Sequence, residues 1–161
     1  MLRWVKYQTP DTWQILLDGW DYNEGGRRND VLRWIFDQPN CDVATAAKFF
    51  FTAGLAGEDP ESLSPWYRGD WELMKRVADN WSCGLYMRSE LALDVEASDI
   101  EYFDRLAEKR KKTGQPLAFR IPGPRFRRFG TRSPRSDYFY EHGGPLSWSF
   151  DAWLKRRERG L

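Results

Sequence analysis

A chain of 161 residues, 41% hydrophobic and 16% aromatic, has material for one well-packed domain and too little length for two full cores. No apolar run approaches the ~20 residues that a membrane-spanning helix requires, and this composition excludes disorder throughout. The net charge of +1 hides a division: residues 1–108 balance to −9 and residues 109–161 to +10.

Met-Leu-Arg-Trp-Val-Lys-Tyr at the start places charge before any signal-type apolar stretch could form, so the expected location is cytoplasmic. In that reducing setting Cys41 and Cys83 are expected as free thiols. A first helix is predicted from Thr9 as cap with Pro10 in its first turn. Trp13, Leu16, Leu17 and Trp20 then form one stripe at helical spacing. Asn23-Glu24-Gly25-Gly26 breaks that helix, and a second one starts near Asn29 or Asp30. It carries Val31, Leu32, Trp34, Ile35 and Phe36, and Pro39 stops it.

Asp42 caps a third predicted helix, Val43 to Ala53, which Gly54 ends. Ala44, Ala46 and Ala47 lead into Phe49, Phe50 and Phe51, so this helix is apolar nearly all round and should lie centrally. Residues 57–65 read as a loop. Asp70 is predicted to cap a fourth helix with Leu73, Met74, Val77 and Trp81 on one face. Leu85 to Leu93 fits either a short helix or a strand. Ser98-Asp99-Ile100-Glu101 has the spacing of a capping box and opens a fifth helix that runs to about Lys112, before Gly114.

Beyond it, residues 117–121 and 137–140 form a candidate hairpin, and Ser149 caps a terminal helix. The expected architecture is mainly α: a single helical domain of about five to six helices with a minor β-hairpin near the C-terminus. Within it, residues 1–121 form an acidic helical body, and 122–161 a basic extension packed on it.

The run Gly19-Trp20-Asp21, followed by Val31 through Phe50 with Pro39-Asn40-Cys41-Asp42 and Thr45-Ala46 at fixed offsets, resembles a family of uncharacterised bacterial helical domains. The likeness covers about a third of the chain. It implies a small helical bacterial protein encoded near toxin or secretion-system genes. That family has no established activity, so the resemblance transfers no functional residue. Read physically, Pro39 ends one helix, Asn40 turns, Asp42 caps the next, and Cys41 packs as a small hydrophobe.

The standard catalytic sets are missing from the sequence. His142 is the single histidine, and the two cysteines stand too far apart in the chain for a Cys-x-x-Cys ligand pair. Gly-x-Ser-x-Gly and phosphate-binding glycine loops are absent. A thiol with His142 is the one visible nucleophile pair. The expectation is therefore a non-enzymatic protein, with no catalytic residue, metal or cofactor.

Two surfaces remain. Asp18, Asp21 and Glu24, with Glu58, Asp59 and Glu61, would present negative charge beside tryptophans, a composition suited to a basic protein partner. An immunity-type protein that neutralises a toxin or effector by occlusion would carry such a surface. The alternative is a nucleic-acid accessory role for residues 119–135. There Arg125, Arg127, Arg128, Arg132 and Arg135 alternate with Phe119, Phe126 and Phe129, in a pattern that neutralises phosphates and stacks on bases. The same segment could equally lie across the protein's own carboxylates.

Overall fold

The computed structural model describes residues 2–18, 25–119 and 129–135. Among the described residues six helices follow one another: α1 (Leu2–Val5), α2 (Pro10–Asp18), α3 (Gly25–Phe36), α4 (Val43–Ala53), α5 (Pro65–Ser82) and α6 (Ala97–Thr113). The protein is mainly helical.

The centre is α4, and its sequence explains why. Ala44, Ala46 and Ala47 are small enough to let neighbours approach, and Phe49 and Phe50 fill the space beyond; all five are buried. α4 packs against α2, α5 and α6, and α3 packs against α1 and α5. Asp42 caps the N-terminus of α4, its carboxylate accepting the Ala44 N–H at 2.9 Å. At the other end Gly54 takes the left-handed conformation at φ 63°, which a side-chain-bearing residue adopts only at a cost.

Aromatic rings weld the layers. Phe36 of α3 meets Phe49 at 5.0 Å between centroids, and Phe50 meets Phe103 of α6 at 5.5 Å. Phe119 follows α6 and turns back into the core against Trp71 at 5.0 Å and Phe50 at 5.9 Å. Near the N-terminus, the Trp13 indole N–H donates to the Val5 carbonyl at 3.1 Å, which ties α1 to α2. Burial of these rings supplies the main stabilisation.

Several local signals read differently once the chain is folded. The second predicted helix begins earlier, at Gly25, so Gly25 and Gly26 open α3 and do not separate elements. Asp70 caps nothing: α5 begins at Pro65, and Asp70 lies within it, 2.8 Å from Arg28 of α3. That guanidinium is 3% exposed. Burial pushes the Asp70 carboxyl above its usual value, against the pull of Arg28. The capping box is not formed either. Glu96 occupies the cap position of α6 without a side-chain bond, and Ser98 lies inside the helix.

The expected hairpin is not supported. Leu117 to Phe119 is bent chain that delivers a ring to the core, and residues 137–140 lie outside the described residues, as does the helix expected at Ser149. Among the described residues the only β-type pairings are two isolated parallel bridges, Asp42 with Arg88 and Leu91 with Arg132. They place the ambiguous 85–93 segment as extended chain between the α3–α4 turn and residues 130–132.

Candidate functional site

Two acidic regions of opposite character stand out. The first is built on Asp42. One carboxylate oxygen caps α4; the other accepts the Glu90 and Leu91 N–H groups at 2.8 and 3.1 Å. Met87 N–H donates to the Pro39 carbonyl, and Val43 N–H to that of Arg88. One fully buried aspartate thus fixes both the helix start and the extended segment 87–91 that crosses it. A second polar link runs beside it: Thr45 donates to Gln14, whose amide N–H donates to the Ala92 carbonyl.

That frame aims Arg88 at Asp11, in the first turn of α2. The Arg88 guanidinium lies 3.2 Å from Asp11 and 2.9 Å from Glu90. Residues 129–135 then close over the same carboxylate. Arg132 forks onto Asp11 with bonds of 2.6 and 2.9 Å, and the Arg135 backbone N–H adds a third at 2.6 Å. Burial alone would raise the Asp11 carboxyl. The Arg132 bond, the Arg135 N–H and the nearby Arg88 charge outweigh it and hold the group below its usual value.

The second region is the loop between α4 and α5. Its backbone is fastened from three sides. Ala56 is buried, the Arg110 guanidinium of α6 donates to the Gly57 carbonyl at 2.8 Å, and the Asp59 side chain accepts the Glu61 N–H at 3.0 Å. Ser62 adds two bonds to the Asp59 carbonyl. Glu58, Asp59 and Glu61 consequently stand exposed on a fixed frame, and among the described residues none of the three has an ion-pair partner. Tyr67, 58% exposed, follows in the first turn of α5.

The sequence-predicted acidic set therefore divides. Glu58, Asp59 and Glu61 share the loop. Asp18 pairs with Lys48, which also bonds Asp94 at 3.0 Å, so its charge is answered internally. Asp21 and Glu24 lie outside the described residues. Of the basic set, Arg132 turns onto Asp11 and Glu90, and Arg135 contributes its backbone, while Arg125, Arg127 and Arg128 lie outside the described residues. Phe119 is buried, Phe129 is half-buried against Trp81 at 6.4 Å, and Phe126 lies outside the described residues.

Sequence reasoning missed Asp11 and the second task of Asp42. An acid in the first turn of a helix looks the same whether it answers the helix dipole or a distant arginine. Burial, with the neighbouring Asp42 charge, pushes the Cys41 thiol far above its usual value; a protonated thiol is a poor nucleophile. His142 lies outside the described residues. Among the described residues no group of three or more His, Cys, Asp or Glu side chains is placed to hold a metal ion, and no helix is long and apolar enough to cross a membrane.

Helical packing around α4, with a carboxylate-based frame on one side, defines a small helical domain. Residues 8–82 match the family described as Domain of unknown function (DUF4274). That span holds α2 to α5, including Asp11, Asp42 and the acidic loop, and stops short of α6 and residues 129–135. Neither a curated protein nor a solved structure matches the chain.

Proposed function

We propose that this protein is a non-enzymatic partner-binding protein of the bacterial immunity type, which neutralises a basic toxin or effector by occlusion. The observation that carries the reading is the fastened loop bearing Glu58, Asp59 and Glu61, with Tyr67 beside it. Exposed carboxylates on a mobile loop would lose entropy on binding; a loop already held by Arg110, Ala56 and Asp59 loses little. Like charges concentrated on a rigid frame speed encounter with a cationic cleft, and a neighbouring aromatic side chain contributes affinity. The role requires no bond-breaking chemistry.

Co-expression with a cationic effector encoded beside the gene tests it. The expected outcome is protection of the host and a stable complex, both lost when Glu58→Lys and Glu61→Lys are combined in a chain that still folds. A folded wild-type chain that neither protects nor forms a complex would remove the immunity role. Asp59 is left intact in that design because its side chain holds the turn.

A further inference from the structure

We propose that the cradle formed by Asp11, Glu90 and the backbone of residues 90–92 is a binding site for an extended arginine peptide, occupied in this structure by the chain's own residues 129–135. Every contact at the cradle is of the kind a bound peptide makes. Arg132 N–H donates to the Glu90 carbonyl at 3.2 Å and the Ala92 N–H donates to the Arg132 carbonyl at 2.9 Å, a single parallel bridge that uses the main-chain bonding of strand addition. The Arg132 side chain then reaches down to fork onto Asp11 and lies 3.4 Å from Glu90.

The cradle is selective as well as charged. A Cβ on Gly130 would fall 1.9 Å from the Glu90 carbonyl oxygen, an overlap no side chain can tolerate. Phe129, one residue earlier, rests on Trp81. The bound sequence therefore reads aromatic, glycine, any residue, arginine. Lysine cannot replace that arginine, because an ammonium group has no planar fork.

The cradle belongs to the helical body, and the bound segment is its guest. The bonds by which Asp42 holds the Glu90 and Leu91 N–H groups, and by which Arg88 reaches Asp11, involve no atom of residues 129–135. That segment contributes no fully buried side chain; Phe129 is only partly buried, and Thr131, Ser133 and Arg135 are exposed. Take Arg132 away and the buried Asp11 shares the single Arg88 guanidinium with Glu90 and Asp42. A site in that condition demands another cation of the right shape. Beside it, Pro39, Asn40, Met87 and Ser89 line an open groove of about 530 Å³ shared with Arg88 and Glu90. Met87 there is 85% exposed, an apolar contact for a longer guest.

The cradle is separate from the acidic loop, since it uses Asp11 and not Glu58 or Glu61. It is tested on the full chain with a fluorescent peptide copying residues 129–135, followed by anisotropy at low salt. Wild-type protein, with its site self-occupied, should bind about tenfold or more weakly than Arg132→Ala protein, whose site is vacated. Adding Asp11→Asn to Arg132→Ala should lose the peptide, and a peptide carrying Gly130→Val should not bind. Charge reversal at Glu58 and Glu61 should leave the specific, glycine-dependent binding in place. A folded Arg132→Ala chain with no saturable binding, or binding indifferent to the peptide's glycine, overturns the proposal. Should Arg132→Ala fail to fold, Gly130→Val in the chain vacates the cradle by backbone clash instead. If that chain also fails to fold, residues 129–135 are part of the core structure and the proposal is wrong.

Discussion

The Asp42–Asp11 frame and the α4–α5 loop are both rich in carboxylates, yet they use charge in opposite ways. At the frame, each buried carboxylate is consumed: Asp42 by three backbone N–H groups, Asp11 by two guanidinium groups and a further N–H. In the loop it is the backbone that is satisfied, and Glu58 and Glu61 are left facing water. Solvent screening makes the second arrangement nearly neutral for stability, and that same exposure leaves it available to a partner. Desolvation makes the first arrangement costly to disturb.

The sharpest way to break this comparison is Asp42→Ala. It removes a helix cap worth about 1 kcal/mol and strands the Glu90 and Leu91 donors, each costing about 1–3 kcal/mol when buried without a partner. Urea unfolding should show a loss of about 3–7 kcal/mol. A loss below about 1 kcal/mol would show that the frame does not depend on this carboxylate.

Acid should act next, and through Asp11. Its folded-state value lies below the ordinary 3.8, so its contribution is complete above that ordinary value and fades as pH falls through the folded one. Nuclear magnetic resonance signals of residues 129–135 should shift in this window in the wild type. In Asp11→Asn protein that titration should be missing, with the segment already loosened at neutral pH. Identical acid profiles for the two proteins would separate Asp11 from the docking of this segment.

Glu58→Lys with Glu61→Lys should move stability least, by within about 0.5 kcal/mol, as exposed substitutions away from buried contacts do. The same variant should slow association with a basic partner by about tenfold or more at low salt, an effect that fades as salt is raised. Stopped-flow mixing reads that rate. If stability falls by several kcal/mol instead, the loop is a structural carboxylate cluster like the first and the contrast between the two regions collapses.

Elements bounded by local signals were legible in advance. Asp42 and Gly54 mark both ends of α4, Thr9-Pro10 marks the start of α2, and Gly114 marks the end of α6. Signals that looked local but serve distant residues misled. Asp70 has the residue type of a cap, yet it answers Arg28 from 42 positions away. Leu85 to Leu93 stayed ambiguous because its conformation is set by the free oxygen of Asp42, which periodicity cannot reveal. Of the candidate site, Glu58, Asp59 and Glu61 were visible as charge in a loop, but what fastens that loop, Arg110, comes from another helix.

By itself, then, the order of residues determined a helical chain around an alanine- and phenylalanine-rich centre, and two stretches of opposite charge. Those properties follow from caps, turns and helical spacing, which act over a few residues. Tertiary structure decided which carboxylates are consumed and which are offered. That outcome depends on whether a guanidinium or amide from remote chain reaches a carboxylate as water leaves it, as Arg132 reaches Asp11 across 121 positions.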